Sequence, residues 1–370
     1  MRGVLRSSLV PLLLLLWAFG EAAARGPAPR SPGFAERTPD EARVERVLQS
    51  LSLRDKVGQL LLAYPQISKE GAVEVGGVLF VGPTLRKIPA AKDRIRAARE
   101  RARIPPFFAV DIEGGSFNRL NRHPSIQALP LARELAAMEE KEVEAWGARV
   151  GLAMKEVGLN MNLAPVFDVA PSGHMFRNGR AFSGNPAVVK QKATAFARGL
   201  AKTGVAAIGK HFPGYGDLDS DSDHERATVD WDETRVRAEA SVFRSADPFL
   251  GGVMMSNVVY SKFGPKPAIL EPALVALAHE SGWITITDDV AIRALAEQIG
   301  AEREEVVRLA FLAGNDLILT TEPPDWSGGL DYFGILMKLA QSDPKMAAQL
   351  DTTVRRVLRL KDRLGLLDGM

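Results

Sequence analysis

Eight short apolar runs, separated by segments of helical periodicity, constrain this chain more than any other feature of its sequence. They read as strands at 60–64 (LLLAY), 76–81 (GGVLFV), 106–111 (PFFAVD) and 160–169 (NMNLAPVFDV), then at 205–210 (VAAIGK), 251–257 (GGVMMSN), 283–289 (WITITDD) and 316–321 (DLILTT). The runs are continuously apolar rather than alternating, so both faces of each strand need cover, as in a parallel sheet flanked by helices. Eight such units over roughly 330 residues favour a single closed (β/α)8 TIM-type barrel. An open doubly wound sheet would place a Gly-rich phosphate loop after its first strand, and AYPQISKEGA is not one.

The ends of the chain carry different signals. MRGVLRSS is a basic leader, LVPLLLLLWAFG an apolar core, and EAAAR offers a small-residue cleavage site after Ala24, so residues 1–24 are expected to be a signal peptide. The apolar run is too short to be a convincing membrane span. The chain has no cysteine, hence neither a lipid-anchored Cys nor a disulfide, and its stability must come from a large core. The expectation is an exported protein, periplasmic or extracellular, with no membrane anchor. Residues 25–37, rich in Pro, Arg and Gly, read as a flexible linker, and 38–370 as the barrel. Thr38, Pro39 and Glu41 predict a capped first helix with Val44, Val47, Leu48 and Leu51 on one face, and Ser52 caps a second. The last helix sets Val354, Val357, Leu358, Lys361 and Leu364 on one face, with Gly365 as its C-cap. A formal charge of +2 with interspersed signs gives no reason to expect nucleic acid as a partner.

In a (β/α)8 barrel the site gathers at the C-terminal strand ends. Those ends bear Asp111 with Glu113 and Arg119 close behind, Asp168, Lys210 with His211, Ser256 with Asn257, Asp288 with Asp289, and Thr320 with Thr321. A polar mouth rich in carboxylates suits a hydroxylated ligand, with carboxylates to spare for acid, base or nucleophile work. Neither His-x-His nor His-Glu-x-x-His spacing occurs, so no metal and no cofactor is expected. His123, His174 and His279 fall in no motif, and His279 is expected on a helix surface. Trp326 and Tyr332, in the long loop after strand eight, either form a stacking platform for a further part of the ligand or pack under their own loop.

At these residues the chain resembles glycoside hydrolase family 3, in particular its single-domain β-N-acetylhexosaminidase branch. The segments AVDIEGGSFNR, GLNMNLAPVFDV, GRAFSGNP, GKHFPGYGD, GGVMMSNVVY, ITITDDVAI and AGNDLIL carry the likeness, in family order, over nearly the whole chain beyond the leader. The resemblance implies the same barrel and a retaining hydrolysis through a covalent glycosyl-enzyme, with Asp288 as nucleophile. It implies sugar binding by Asp111, Arg119, Arg180, Lys210 and His211. Asp111 and Arg180 have a plainer alternative, a salt bridge that shapes the mouth. Asp168 is expected to hold loops through hydrogen bonds. The substrate implied is a small oligosaccharide or muropeptide bearing terminal β-linked N-acetylglucosamine.

The family's general acid/base is a His on the loop after strand five, paired with an Asp two residues earlier. Here the frame puts Asp221 on that Asp and Asp223 where the His belongs, and His224 falls one residue late. Either the loop has gained a residue and His224 serves with Asp221, or the dyad is broken. In the second case the barrel is a noncatalytic glycan-binding protein, or Asp223 supplies the proton. Ser116, Tyr215 and Asn257 replace an Arg and two His of the family pattern, which leaves open a β-glucosidase-type hydrolase of other sugars.

Overall fold

The computed structural model describes residues 33–63, 74–322, 330–342 and 344–370. The expected signal peptide, most of the linker and Trp326 lie outside the described residues. The eight barrel strands are Leu61–Ala63, Gly77–Phe80, Phe107–Val110, Met161–Asn162, Ala206–Phe212, Leu250–Met255, Ile284–Ile286 and Ile318–Thr320. Each pairs in parallel with its neighbours in chain order, and strand eight pairs with strand one. A parallel bridge between Ile286 and Leu317 joins strands seven and eight, so the sheet closes into the expected (β/α)8 TIM-type barrel.

Two apolar cores follow from closure. One fills the barrel itself, with Leu62, Leu79, Phe107, Met161, Ile208 and Leu319 among its members, and the other lies between strands and helices. The last helix, Pro344–Arg363, adds Val357 and Leu360 to the inner core and so closes the N-terminal end of the barrel. Of its predicted face, Val354, Val357, Leu358 and Lys361 are buried, Leu364 lies just past the helix end and is partly buried, and Gly365 takes a left-handed φ of 72°. Among the described residues no helix is long and apolar enough to cross a membrane.

Several boundaries differ from the sequence reading, for local reasons. The first helix, Glu41–Ser50, is capped by Asp40 rather than Thr38, because the Asp40 carboxylate accepts from Arg43 N at 3.0 Å while its own N–H is held by Asp362. Ser52 caps the second helix as expected, with Asp55 completing the box. Phe34, within the expected linker, packs into the inner core with the Arg363 guanidinium 4.0 Å from its ring centroid. Strand four is only two residues long, since Pro165 brings no N–H and two asparagine side chains replace ladder bonds. Asn160 Oδ1 accepts from Phe108 N at 2.7 Å, and Asn162 bonds both backbone groups of Ile112. Strand five runs two residues further than expected, to Phe212, whose carbonyl accepts from Ser256 N, so His211 belongs to the strand along with Lys210.

Candidate active site

Four charged side chains alternate across the mouth. Lys210 Nζ lies 2.7 Å from Asp111 Oδ1 and 2.7 Å from Glu113 Oε1, and Glu113 closes a two-toothed pair with Arg180 at 2.8 Å for each bond. The Asp111–Arg180 bridge considered from the sequence is therefore replaced by Asp111–Lys210 and Glu113–Arg180. Burial works to raise the Glu113 pKa, but the Arg180 and Lys210 charges overcome it and hold the carboxyl far below its usual range. The same carboxylates outweigh burial at both cations and raise Lys210 and Arg180. Glu113 is thereby fully engaged. Asp111, 28% exposed at its side chain against 5% for Glu113, is the carboxylate with lone pairs left for a ligand. Phe117 covers the Arg180 guanidinium at 4.8 Å.

Asp168, fully buried behind this row, accepts from His211 N at 3.2 Å and from ring Nδ1 at 2.7 Å. These bonds hold the end of strand five, where the sequence reading expected Asp168 to hold loops. With Nδ1–H donating to Asp168, the ring presents Nε2 to Arg180 Nη2 at 3.4 Å. The Arg119 side chain stands apart: it is exposed, and only its backbone N–H reaches Asp111, at the carbonyl.

The two carboxylates after strand seven have different surroundings. Asp289 accepts from Ala291 N and from the N–H and hydroxyl of Thr321, which ties strand seven to strand eight. Among the described residues Asp288 accepts only from the N–H of Asp289, at 2.9 Å. Burial, and next the charge of Asp223, push its pKa up to about 6 against the opposing pull of His211 and Lys210. A carboxylate poorly solvated and little hydrogen-bonded is reactive once ionised, as a nucleophile needs to be.

The loop after strand five is fastened to the loop after strand four. Tyr215 Oη donates to Ser220 O at 2.8 Å and accepts from Ser222 N at 2.7 Å, and burial pushes the phenol up to about 12. His174 N donates to Leu218 O at 2.7 Å, and Arg177 pairs with Asp219. Asp221 sits between two imidazoles, with Oδ2 3.9 Å from Nε2 of His174 and 3.9 Å from Nε2 of His224. The His224 side chain is 82% exposed and the His174 side chain 17%. Asp223 N caps onto Asp221 Oδ1 at 3.1 Å.

Residues 52–360 match the Glycosyl hydrolase family 3 N terminal domain. The chain belongs to glycosyl hydrolase family 3. It is similar to a beta-hexosaminidase of Idiomarina loihiensis, 29% identical over 259 residues that span 67% of this chain and 77% of the relative. Among solved structures, the beta-N-acetylhexosaminidase of Beutenbergia cavernae superposes with a TM-score of 0.75 at 27% identity, covering 84% of this chain and 98% of that one. A family 3 beta-N-acetylglucosaminidase of Paenibacillus sp. gives 0.76 at 26% identity, over 87% of this chain and 64% of that one. The protein is accordingly a glycoside hydrolase.

Within this family 3 barrel, three residues matter more than their sequence context showed. Glu113 was visible at the mouth, but nothing in the sequence marked it as the partner shared by Arg180 and Lys210. Asn257, 1% exposed at the end of strand six, leaves both polar atoms of its amide without a partner among the described residues. His174 lies in no motif and meets Asp221 only through the fold. His279, expected on a helix surface, instead bonds the buried Asp316 at 3.0 Å. Tyr332 donates to Glu322 Oε2 at 3.0 Å and accepts from Arg303, so its hydroxyl is used within its own surroundings.

Proposed function

We propose that this family 3 hydrolase is an exported, retaining exo-glycosidase of β-N-acetylhexosaminidase type. Its substrate would be terminal β-linked N-acetylglucosamine on peptidoglycan or chitin fragments. The observation that carries the reading is the alternation Asp111–Lys210–Glu113–Arg180, with a weakly engaged carboxylate, Asp288, within electrostatic reach of Lys210 and His211. The beta-hexosaminidase relatives and the solved beta-N-acetylglucosaminidase support the choice of sugar.

In this reading Asp111 accepts sugar hydroxyls, Lys210 and Arg180 donate charge-assisted hydrogen bonds, and His211 is oriented by Asp168 to meet the same ring. Arg119 reaches the ligand from the rim. Asp288 attacks the anomeric carbon as the glycosidic bond breaks, and water later releases the sugar from the Asp288 ester. Asp221 orients the imidazole that protonates the leaving oxygen and then deprotonates the water. The sequence alone offers His224, one residue out of frame, as a candidate for that imidazole.

Turnover of an aryl β-N-acetylglucosaminide, with the anomer formed first followed by NMR, tests the reading. Wild type is expected to release the β-anomer first, and Asp288→Ala to lose at least about 10³-fold. Equal inactivity of both with retained N-acetylglucosamine binding would contradict it. Faster cleavage of the aryl β-glucoside would assign the barrel to a β-glucosidase-type hydrolase instead.

A further inference from the structure

We propose that His174, from the loop after strand four, is the imidazole that Asp221 orients as general acid/base, in place of His224. This rests on the retaining mechanism above. Asp221 is the carboxylate kept in frame in a loop whose next expected group, the His, is Asp223. The fold supplies another imidazole to that carboxylate. His174 Nε2 stands 3.9 Å from Asp221 Oδ2, a separation that a small side-chain rotation closes to a hydrogen bond.

The two candidate rings face different surroundings. His224, at 82% exposure, points into solvent from a loop cinched by the Tyr215 hydroxyl and fastened through His174 N and Arg177. Its backbone N–H is held as well, by Asp221 O at 2.9 Å. His174 is already recessed. Its ring packs beside Tyr215, with centroids 6.3 Å apart, and Tyr215 in turn meets His211 at 5.9 Å, so one aromatic joins His174 to the sugar-facing row. The turn that carries His174 also places Arg180, whose N–H bonds Met175 O at 3.0 Å. Asn178 Nδ2 lies 3.2 Å from Nε2, on the edge that Asp221 approaches. When Nε2–H donates to Asp221, the Asn178 amide turns its oxygen to that edge, and Nδ1, which has no hydrogen-bond partner among the described residues, is left to exchange the proton.

The step balances simply. Asp288 Oδ forms a bond to C1, the C1–O bond to the aglycone breaks, and the leaving oxygen takes the proton of the His174 imidazolium. The neutral ring then takes a proton from water as its oxygen attacks C1 and the Asp288 ester bond breaks. The charged groups around the ring are Asp221 and Asp223, which favour the imidazolium, and Arg180 and Arg177, which oppose it. Burial is the largest influence and the net effect lowers its pKa.

The test compares His174→Ala, His174→Gln, His224→Ala and Asp223→Asn by kcat/KM on two substrates: a 2,4-dinitrophenyl β-N-acetylglucosaminide and chitobiose. A dinitrophenolate leaves without protonation, whereas a sugar alkoxide does not. Both His174 variants are expected to stay within about threefold of wild type on the dinitrophenyl substrate and to lose about 10²-fold or more on chitobiose. On the dinitrophenyl substrate, where release of the Asp288 ester limits kcat in these variants, azide should raise kcat with formation of the β-glycosyl azide, and the basic limb of their pH profile should vanish. His224→Ala should match wild type on both. The proposal is overturned if His224→Ala or Asp223→Asn shows this signature instead. It is also overturned if the folded His174→Gln loses equally on both substrates without azide rescue, the mark of a structural role. Wild type inactive on both substrates would overturn the hexosaminidase reading and this proposal with it; the leaving-group pattern in an active enzyme tests the proposal alone.

Discussion

Asp288 and Asp223 offer the sharpest perturbation. A carboxyl raised from 3.8 to about 6 has its ionised form destabilised by about 3 kcal/mol, with burial the larger source and the Asp223 charge the next. Asp223→Asn removes the second source and leaves the first. The Asp288 pKa should therefore fall by roughly one unit and not return to its ordinary value. The sign is set by the chemistry: the nucleophile must be ionised, so kcat/KM falls as pH drops through the Asp288 pKa. At pH 5 about a tenth of Asp288 is ionised in wild type and about a half in Asp223→Asn, an advantage of about fivefold for the variant. The assay is kcat/KM between pH 4 and 8 with the dinitrophenyl substrate, which needs no acid and so isolates the nucleophile. An acid limb that stays near 6 in Asp223→Asn, or moves upward, would refute the coupling of the two carboxylates.

Three further outcomes follow from buried polar groups. Glu113→Gln leaves two buried cations short of a charge and should cost about 3 kcal/mol in urea unfolding, whereas Asp111→Asn should cost under about 1 kcal/mol yet weaken N-acetylglucosamine binding measured by calorimetry. Lys361, buried and hydrogen-bonded among the described residues to Gln59 Oε1 alone at 2.6 Å, is pulled down to about 7 by burial. The unfolded chain keeps that proton to about pH 10.4, so stability should rise with pH between about 7 and 10 by up to about 5 kcal/mol from this group. Lys361→Met should remove the rise and be the more stable protein at pH 6; equal pH slopes for both in urea unfolding would contradict this. Asn257→Leu replaces an unmatched buried amide and should raise the melting temperature while lowering kcat/KM, and a fall in both would show that the amide is satisfied in the folded protein.

The sequence made the barrel readable because each parallel strand is apolar on both faces and ends in polar residues. Phe107–Val110 followed by Asp111 shows the pattern in five residues. Where backbone pairing departs from the strand pattern the reading slipped: the apolar run 160–169 holds only two strand residues because Asn160, Asn162 and Pro165 alter its hydrogen bonding. At the candidate site, strand ends alone pointed to Asp111, Lys210, His211 and Asp288, while the family motifs added Arg180 and singled out Asp288 as nucleophile. What stayed hidden was who pairs with whom. Asp111 and Glu113 are chemically alike and two residues apart, and only the fold gives Glu113 to Arg180. His174 and Asp221 lie on different loops, so no spacing rule joins them.

The central claim is that Asp288 becomes covalently bonded to the sugar. Incubation with 5-fluoro-N-acetylglucosaminyl fluoride, followed by intact mass measurement and peptide mapping, tests it directly. The account predicts one glycosyl adduct per chain, on Asp288, absent from Asp288→Ala. An adduct on Asp289 or elsewhere, or none in an enzyme that turns over, would contradict it.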